Sequence, residues 1–99
     1  MSESLVFEDA TSFRDRLKSR DLSAVEVLQA HLDQIERVNP AVNAMCTLDA
    51  ERAMETARNL DNGPITGPLH GIPVGIKDLS ATKGIRTTFG SPIFEDWVP

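Results

Sequence analysis

Apolar residues recur at helical spacing near the start of the chain. Ala10, Phe13 and Leu17 lie three and four positions apart, which places their side chains on one face of an α-helix. Asp9 and Thr11 are both residue types that accept hydrogen bonds from the first free backbone N–H groups of a helix. The pattern therefore predicts a short first helix, capped by one of these two residues.

A second, longer helix is predicted from a motif at its start and an apolar stripe along its length. Ser23, followed three residues later by Glu26, forms a capping-box sequence. Four apolar residues then fall at spacings of three, four and three: Val25, Leu28, Leu32 and Ile35. We expect this helix to end at Asn39, because the residue before a proline is biased away from helical geometry.

Two short strands separated by a third helix are predicted in the second half of the chain. Residues 42–48 and residues 72–77 have the composition of strands, and a helix capped by Asp49 and stopped by residues 62–64 lies between them. The apolar face of that helix is made of small residues and one leucine: Ala50, Ala53, Ala57 and Leu60. The order strand, helix, strand is typical of a parallel βαβ unit with a right-handed crossover. Because two strands are too few for a stable sheet, the predicted class is α/β, with N-terminal helices and a βαβ portion of a larger mixed sheet flanked by helices.

Composition limits the classes of function. The chain has 99 residues, of which 40% are hydrophobic and 25% charged, and its net charge is −5. This charge argues against a nucleic-acid surface, which needs clustered Lys and Arg. The single cysteine, Cys46, cannot form an internal disulfide and is expected to be a small core residue. No stretch has the length of a signal peptide or a membrane span, so we expect a cytoplasmic protein with no membrane contact. The partly apolar residues 94–99 suggest that more sequence follows.

Lys77, at the end of the second predicted strand, is the candidate for chemistry. On a strand it shares one face with Pro73 and Gly75, and the glycine leaves space beside it. A lysine in water has a pKa of about 10.4. Burial lowers the pKa of lysine, and an uncharged lysine can accept a proton from a serine hydroxyl. The same pattern also fits a solvated lysine or one paired with the neighbouring Asp78, and these alternatives stay open.

Other polar residues receive structural interpretations. Two separated histidines without a cysteine pair do not predict a metal site. His31 is expected at the boundary of the second helix, and His70 is expected to shape the loop that contains it. The remaining hydroxyl groups of interest are expected to stabilise turns: Thr87, Thr88 and Ser91.

Two segments carry a family resemblance. Residues 67–78, Gly-Pro-Leu-His-Gly-Ile-Pro-Val-Gly-Ile-Lys-Asp, resemble the first characteristic block of the amidase signature family. Residues 84–91, Gly-Ile-Arg-Thr-Thr-Phe-Gly-Ser, resemble the Thr-Thr-x-Gly-Ser stretch that follows it. On this resemblance, residues 1–99 are an N-terminal fragment of a single amidase domain. Residues 1–40 are then its helical lead-in, and residues 41–99 are the start of the α/β core with the lysine strand.

The resemblance implies a Ser–cis-Ser–Lys triad in which Lys77 is the catalytic base, with no cofactor and no metal. In the family, both serines lie in a glycine- and serine-rich block further along the chain. Only 22 residues follow Lys77 and they contain no such block, so Ser80 and Ser91 are not candidates for the nucleophile. We therefore expect the 99-residue chain alone to be inactive, and the remainder of the amidase chain to be needed for a complete site.

Three functions are compatible with this resemblance. The main interpretation is a stand-alone amidase that cleaves the C–N bond of a linear, small-molecule carboxamide. The alternative is the A subunit of a glutamine-dependent tRNA amidotransferase, which uses the same lysine block to release ammonia from glutamine. A third is a truncated, non-catalytic interaction module. The resemblance also implies a homodimer formed through the N-terminal helices.

Overall fold

The computed structural model describes residues 5–99, and three α-helices lie within this range. We number them α1 (Ala10–Lys18), α2 (Ala24–Val42) and α3 (Ala50–Asp61). A short 3₁₀ helix, Pro92–Phe94, follows near the C-terminus. None of these helices combines the length and the apolar character needed to cross a bilayer.

The predicted α/β class is wrong, because no β-strand forms within residues 5–99 and the described chain is all-helical. The first predicted strand is replaced by the end of α2 and an irregular linker. In residues 72–77, the backbone–backbone hydrogen bonds lead only into the adjoining turns, to Leu69 and Ser80. A strand is stable when a neighbouring strand pairs with its N–H and C=O groups, and two short segments supply too little pairing for a sheet.

Helix α1 begins where the sequence predicts. The Asp9 carboxylate accepts a hydrogen bond from the backbone N–H of Ser12 at 2.8 Å, which makes Asp9 the cap. Phe13 and Leu17 are buried as predicted, whereas Ala10 is exposed. The hydrophobic core joins α1 to α2 and consists of six residues: Leu5, Phe13, Leu17, Leu22, Val27 and Ala30.

The start of α2 confirms the predicted capping box. The Ser23 hydroxyl accepts from the backbone N–H of Glu26 at 3.0 Å, and the Glu26 carboxylate accepts from the backbone N–H of Ser23 at 3.1 Å. The predicted apolar stripe, however, is only half-buried. The fully buried positions are Ala24, Val27 and Ala30, on a neighbouring face. Sequence periodicity cannot reveal which apolar face a neighbouring helix will cover.

The predicted end of α2 is wrong, since the helix continues through Pro40 to Val42. Proline lacks the N–H that continues the helical hydrogen bonds, but it lies only two residues before the end. Asn43 adopts the left-handed conformation with φ of 50° and ends the helix. The Asn39 side-chain oxygen then accepts from the backbone N–H groups of Ala44 at 2.8 Å and of the next residue at 2.9 Å, which fixes the turn into the linker.

Helix α3 packs against α2 through charges at the helix ends. The Asp61 carboxylate accepts from the backbone N–H groups of Ala24 at 2.7 Å and Val25 at 3.0 Å. Arg20 donates to the backbone oxygens of Asp61 at 3.1 Å and Gly63 at 2.7 Å. An anion at a helix N-terminus and a cation at a helix C-terminus both complement the helix dipole. These contacts fix the C-terminus of α3 on the N-terminus of α2.

The C-terminal segment, residues 78–99, folds back on itself. The backbone N–H of Thr87 donates to the Trp97 carbonyl at 3.0 Å, and the N–H of Gly84 donates to the Pro99 carbonyl at 2.8 Å. Three aromatic rings pack together with centroid distances of 5.0 to 5.6 Å: Phe89, Phe94 and Trp97. The segment therefore has a small apolar cluster of its own, separate from the core between α1 and α2.

Candidate functional site

A groove of about 850 Å³ lies beside α2 and α3. Its lining includes residues from both helices, the linker between them and residues 71–78. The small face of α3 predicted from the sequence contributes three residues to it: Ala53, Ala57 and Leu60. Because the two alanine side chains are short, they leave room between the helices and residues 71–78.

Lys77 belongs to the lining of this groove, and its side chain is exposed. Its backbone carbonyl accepts a hydrogen bond from the N–H of Ser80 at 2.9 Å, which closes a turn directly after the lysine. Within residues 5–99, the ammonium group forms no ion pair with a carboxylate and no hydrogen bond with a serine hydroxyl. Residues 5–99 do not bury Lys77 as a catalytic base would have to be buried. Its catalytic role therefore stays a prediction.

Asp78 bonds to Thr88 and not to the adjacent lysine. One carboxylate oxygen accepts from the backbone N–H of Thr88 at 2.8 Å, and the other accepts from the Thr88 hydroxyl. Both bonds hold the pKa of Asp78 below its ordinary value of 3.8, and the bond from the hydroxyl has the larger effect. The stabilisation they give is therefore present above this value and is lost as the pH falls through the lowered pKa.

Thr87 and Thr88 are the two buried polar residues of the described chain, with 2% and 6% of their surfaces exposed. The Thr87 hydroxyl accepts from the N–H of Thr82 at 3.2 Å and donates to the carbonyl of Ile85 at 3.0 Å. The Thr88 hydroxyl donates to Asp78 and accepts from the N–H of Gly90 at 3.1 Å. Ser91 caps the 3₁₀ helix. The prediction that these hydroxyls stabilise turns is confirmed.

Two arginines join the separate walls of the groove. Arg86 donates to the hydroxyl of Thr47 in the linker at 3.2 Å. Arg52 of α3 donates to the carbonyl of Gly84 at 2.6 Å and pairs with the Asp49 carboxylate at 3.0 Å. Sequence reasoning missed both arginines, because the bonds that join the walls of the groove reach Gly84 and Thr47, each more than thirty positions away in the chain, and no local pattern marks such contacts.

The two histidines and the cysteine singled out from the sequence lie where their contacts support the fold or where they face solvent. The Nδ1 atom of His70 lies 3.2 Å from the hydroxyl of Thr66, which confirms that it shapes its loop. His31 is half-buried and packs edge-on against Phe13. Cys46 is exposed, so the prediction of a core cysteine is wrong; the strand that would have buried it does not form. Across residues 5–99, no group of three or more His, Cys, Asp or Glu side chains is close enough to hold a metal ion.

The family model described as Amidase matches residues 26–99. That range contains both segments in which the resemblance was seen, residues 67–78 and residues 84–91, as well as most of α2 and all of α3. The match therefore covers all the lining residues of the groove except Ala24.

Curated relatives of high similarity share one name: each is the A subunit of a glutamyl-tRNA(Gln) amidotransferase. The protein from Acidothermus cellulolyticus is 41% identical over 99 aligned residues, which cover 96% of this chain and 20% of the relative. The protein from a Geobacter species is 47% identical over 88 residues, covering 86% of this chain and 18% of the relative. The protein from Salinispora tropica is 49% identical over 81 residues, covering 78% of this chain and 16% of the relative. The chain thus spans about a fifth of the length of these relatives. No solved structure matches it.

Proposed function

This chain belongs to the amidase family, and we propose that it is the N-terminal part of an enzyme that hydrolyses a carboxamide C–N bond with Lys77 as its general base. The position of Lys77 carries the proposal. It lies inside the family-matched range and in the lining of the groove, and within residues 5–99 its ammonium has no carboxylate partner. Such a lysine is free to be covered and desolvated by a further segment of a longer polypeptide.

The proposed chemistry is nucleophilic acyl transfer without a cofactor. A serine from the longer polypeptide attacks the amide carbonyl, and its proton passes through a second serine to the uncharged Nζ of Lys77. The C–N bond then breaks, the proton goes to the leaving nitrogen, and an acyl-serine ester remains. Water hydrolyses the ester, so the products are a carboxylate and ammonia. An uncharged Nζ requires burial, which is why the groove has to be closed in the complete enzyme.

The favoured substrate is the side-chain amide of glutamine. This choice draws on the relatives, each of which is named as the A subunit of a glutamyl-tRNA(Gln) amidotransferase. In that role the protein works in the cytoplasm with partner subunits that pass the released ammonia to glutamate on tRNA. A second candidate is a stand-alone amidase acting on another small, linear carboxamide, which the broader description of the family model supports. A homodimer through the N-terminal helices stays a prediction.

The test uses the longer polypeptide that contains these residues, purified with any subunits that accompany it. We expect Lys77→Ala to lower kcat for ammonia release from glutamine by roughly 10²–10⁴-fold, the usual contribution of a general base. Lys83→Ala is the matched control, because Lys83 is an exposed lysine outside the groove lining. Turnover by Lys77→Ala close to that of the wild type, with Lys83→Ala also active, would falsify the assigned role.

Substrate choice is tested on the same preparation. If the protein belongs to an amidotransferase, we expect ammonia release from glutamine and, with ATP and glutamyl-tRNA present, conversion to glutaminyl-tRNA. A stand-alone amidase should instead hydrolyse a short aliphatic or aromatic amide in preference to glutamine, without dependence on ATP. Absence of ammonia release from every amide tried, by a folded full-length protein with its subunits, would favour the non-catalytic module.

A further inference from the structure

The backbone directly after Lys77 is anchored by three hydrogen bonds from a single short segment. The Asp78 carboxylate accepts from the backbone N–H and the hydroxyl of Thr88, and the Asp78 carbonyl accepts from the N–H of Phe89 at 3.0 Å. Thr88 is 6% exposed, so water has little access to the partner of this carboxylate. The position of Asp78 is therefore set by a buried residue ten positions further along the chain.

The residues before Lys77 have much weaker support. Ile72 packs against the hydrophobic core and is the last such contact before the lysine. Beyond it, Gly75 has no neighbour within 4 Å of where a Cβ atom would stand. Val74 and Ile76 are 79% and 57% exposed. Within the described chain, Lys77 thus lies between an apolar anchor at Ile72 and a polar anchor at Asp78, and the polar anchor is directly adjacent to it.

We propose that Thr88 is a positioning residue for the amidase reaction: through the Asp78 carboxylate it fixes the backbone from which the Lys77 side chain reaches the reacting serine. This inference rests on the proposed function of Lys77 as the general base. Proton transfer requires heavy atoms within hydrogen-bond distance, and displacement of a catalytic group by about 1 Å can cost on the order of 10²-fold in rate. An anchor one residue away from the base has direct control over such a displacement.

Thr87 provides an internal comparison with Thr88. Both side chains are buried, and the hydroxyl of each takes part in two or more hydrogen bonds. The bonds of the Thr87 hydroxyl lead to Thr82 and Ile85, inside its own turn. The Thr88 hydroxyl accepts from the nearby Gly90 but donates to Asp78, the residue next to the lysine. A general loss of stability should follow from replacing either residue, but a displaced lysine should follow only from replacing Thr88.

The experiment compares Thr88→Val, Thr88→Ser and Thr87→Val in the full-length protein with its subunits. Valine keeps the shape of threonine and removes the hydroxyl, while serine retains it. For Thr88→Val we expect kcat for amide hydrolysis to fall by about 10–100-fold with KM within about twofold of the wild type. Thr88→Ser should restore most of kcat. Thr87→Val should lower the melting temperature by about as much as Thr88→Val does, but it should change kcat little.

Two outcomes would overturn the positioning role. One is wild-type kcat in a folded Thr88→Val protein; the other is an equal loss of kcat in Thr87→Val and Thr88→Val that follows the loss of melting temperature. If Thr88→Val fails to fold, Asp78→Asn is the deciding variant. We expect it to lower kcat without changing KM, and a wild-type kcat would contradict the positioning role. Full activity of Lys77→Ala would instead overturn the proposed function. An inactive Lys77→Ala beside a fully active Thr88→Val would overturn the positioning role alone.

Discussion

At the scale of single residues, Gly71 has a strict geometric requirement. Its φ is +83°, a conformation that side chains disfavour. A Cβ atom there would lie 3.2 Å from the Cβ of Ala24 and 3.3 Å from a methyl carbon of Leu17. The glycine therefore lets the loop pass close to the junction of α1 and α2, and it positions Ile72 against the core.

We predict that Gly71→Ala lowers the free energy of unfolding by about 1–3 kcal/mol, because it combines backbone strain with overpacking. Gly67→Ala in the same loop is the matched control. A Cβ atom at that position meets nothing within 4 Å, so a change below about 0.5 kcal/mol is expected. Urea denaturation followed by circular dichroism measures both. Equal stability of the two variants would show that the close approach at Gly71 is not required.

Asp78 illustrates how a neighbour in sequence differs from a partner in space. The sequence places its carboxylate next to Lys77, yet the carboxylate bonds to Thr88. Two donors on one residue give it a defined geometry that a flexible lysine would not give. The consequence is that Asp78 supports the backbone near the lysine without neutralising its charge.

At the scale of elements, α2 and α3 are joined by contacts at their ends. Ser23, directly before α2, and Asp61, the last residue of α3, both accept hydrogen bonds from backbone N–H groups in the first turn of α2. Arg20 donates to the carbonyl of Asp61, the last residue of α3, and to the carbonyl of Gly63 just after it. Helix ends leave backbone groups without intrahelical partners. These side chains bond to such groups at the N-terminus of α2 and the C-terminus of α3, and they thereby orient the two helices.

We predict that Asp61→Ala destabilises the protein by about 0.5–2 kcal/mol, the usual effect of losing an N-terminal cap. The control is Glu55→Ala, which removes an exposed carboxylate from the same helix and should have an effect within about 0.5 kcal/mol. Thermal unfolding of both variants measures the difference. If Asp61→Ala matched the stability of Glu55→Ala, the contact between the two helix ends would contribute nothing measurable.

At the scale of the whole molecule, the described chain leaves a notable amount of apolar surface uncovered beside the groove. Three apolar side chains in or close to residues 72–77 are more than half exposed: Val74 at 79%, Ile76 at 57% and Leu79 at 62%. The groove itself is open and Lys77 is exposed. A site this open does not exclude water as a lysine base requires, and among residues 5–99 no hydroxyl or thiol is hydrogen-bonded to the Lys77 ammonium for activation.

We therefore predict that the isolated 99-residue chain releases no ammonia from glutamine or from simple amides above the uncatalysed rate. The reason is that the serines of the proposed triad belong to residues outside this chain. The measurement is an ammonia assay on the isolated chain beside the full-length protein at equal concentration. Turnover by the isolated chain that disappears in its Lys77→Ala variant would contradict this expectation and place the nucleophile within these residues.

Local sequence patterns predicted most of the helical structure. Asp9, Ser23 and Glu26 are the capping residues that the sequence predicts, and α3 begins directly after Asp49 and ends directly before Asn62 as expected. The Asp49 side chain, however, makes no capping hydrogen bond and pairs with Arg52 instead. Each of these features depends on groups three or four positions apart, so the sequence contains all the information needed. The block around Lys77 likewise identified the family without any structure.

Features that depend on distant parts of the chain were decided only by the tertiary structure. The predicted strands do not form within residues 5–99, because strand pairing needs partners that a local pattern cannot provide. The buried face of α2 and its continuation past Pro40 depend on which helix packs beside it and on the side chain of Asn39. The partner of Asp78 was decided by a turn that brings Thr88 back to it. Spacing along the chain fixes what is adjacent within one helical turn, whereas contacts across ten or more residues depend on how the whole chain packs.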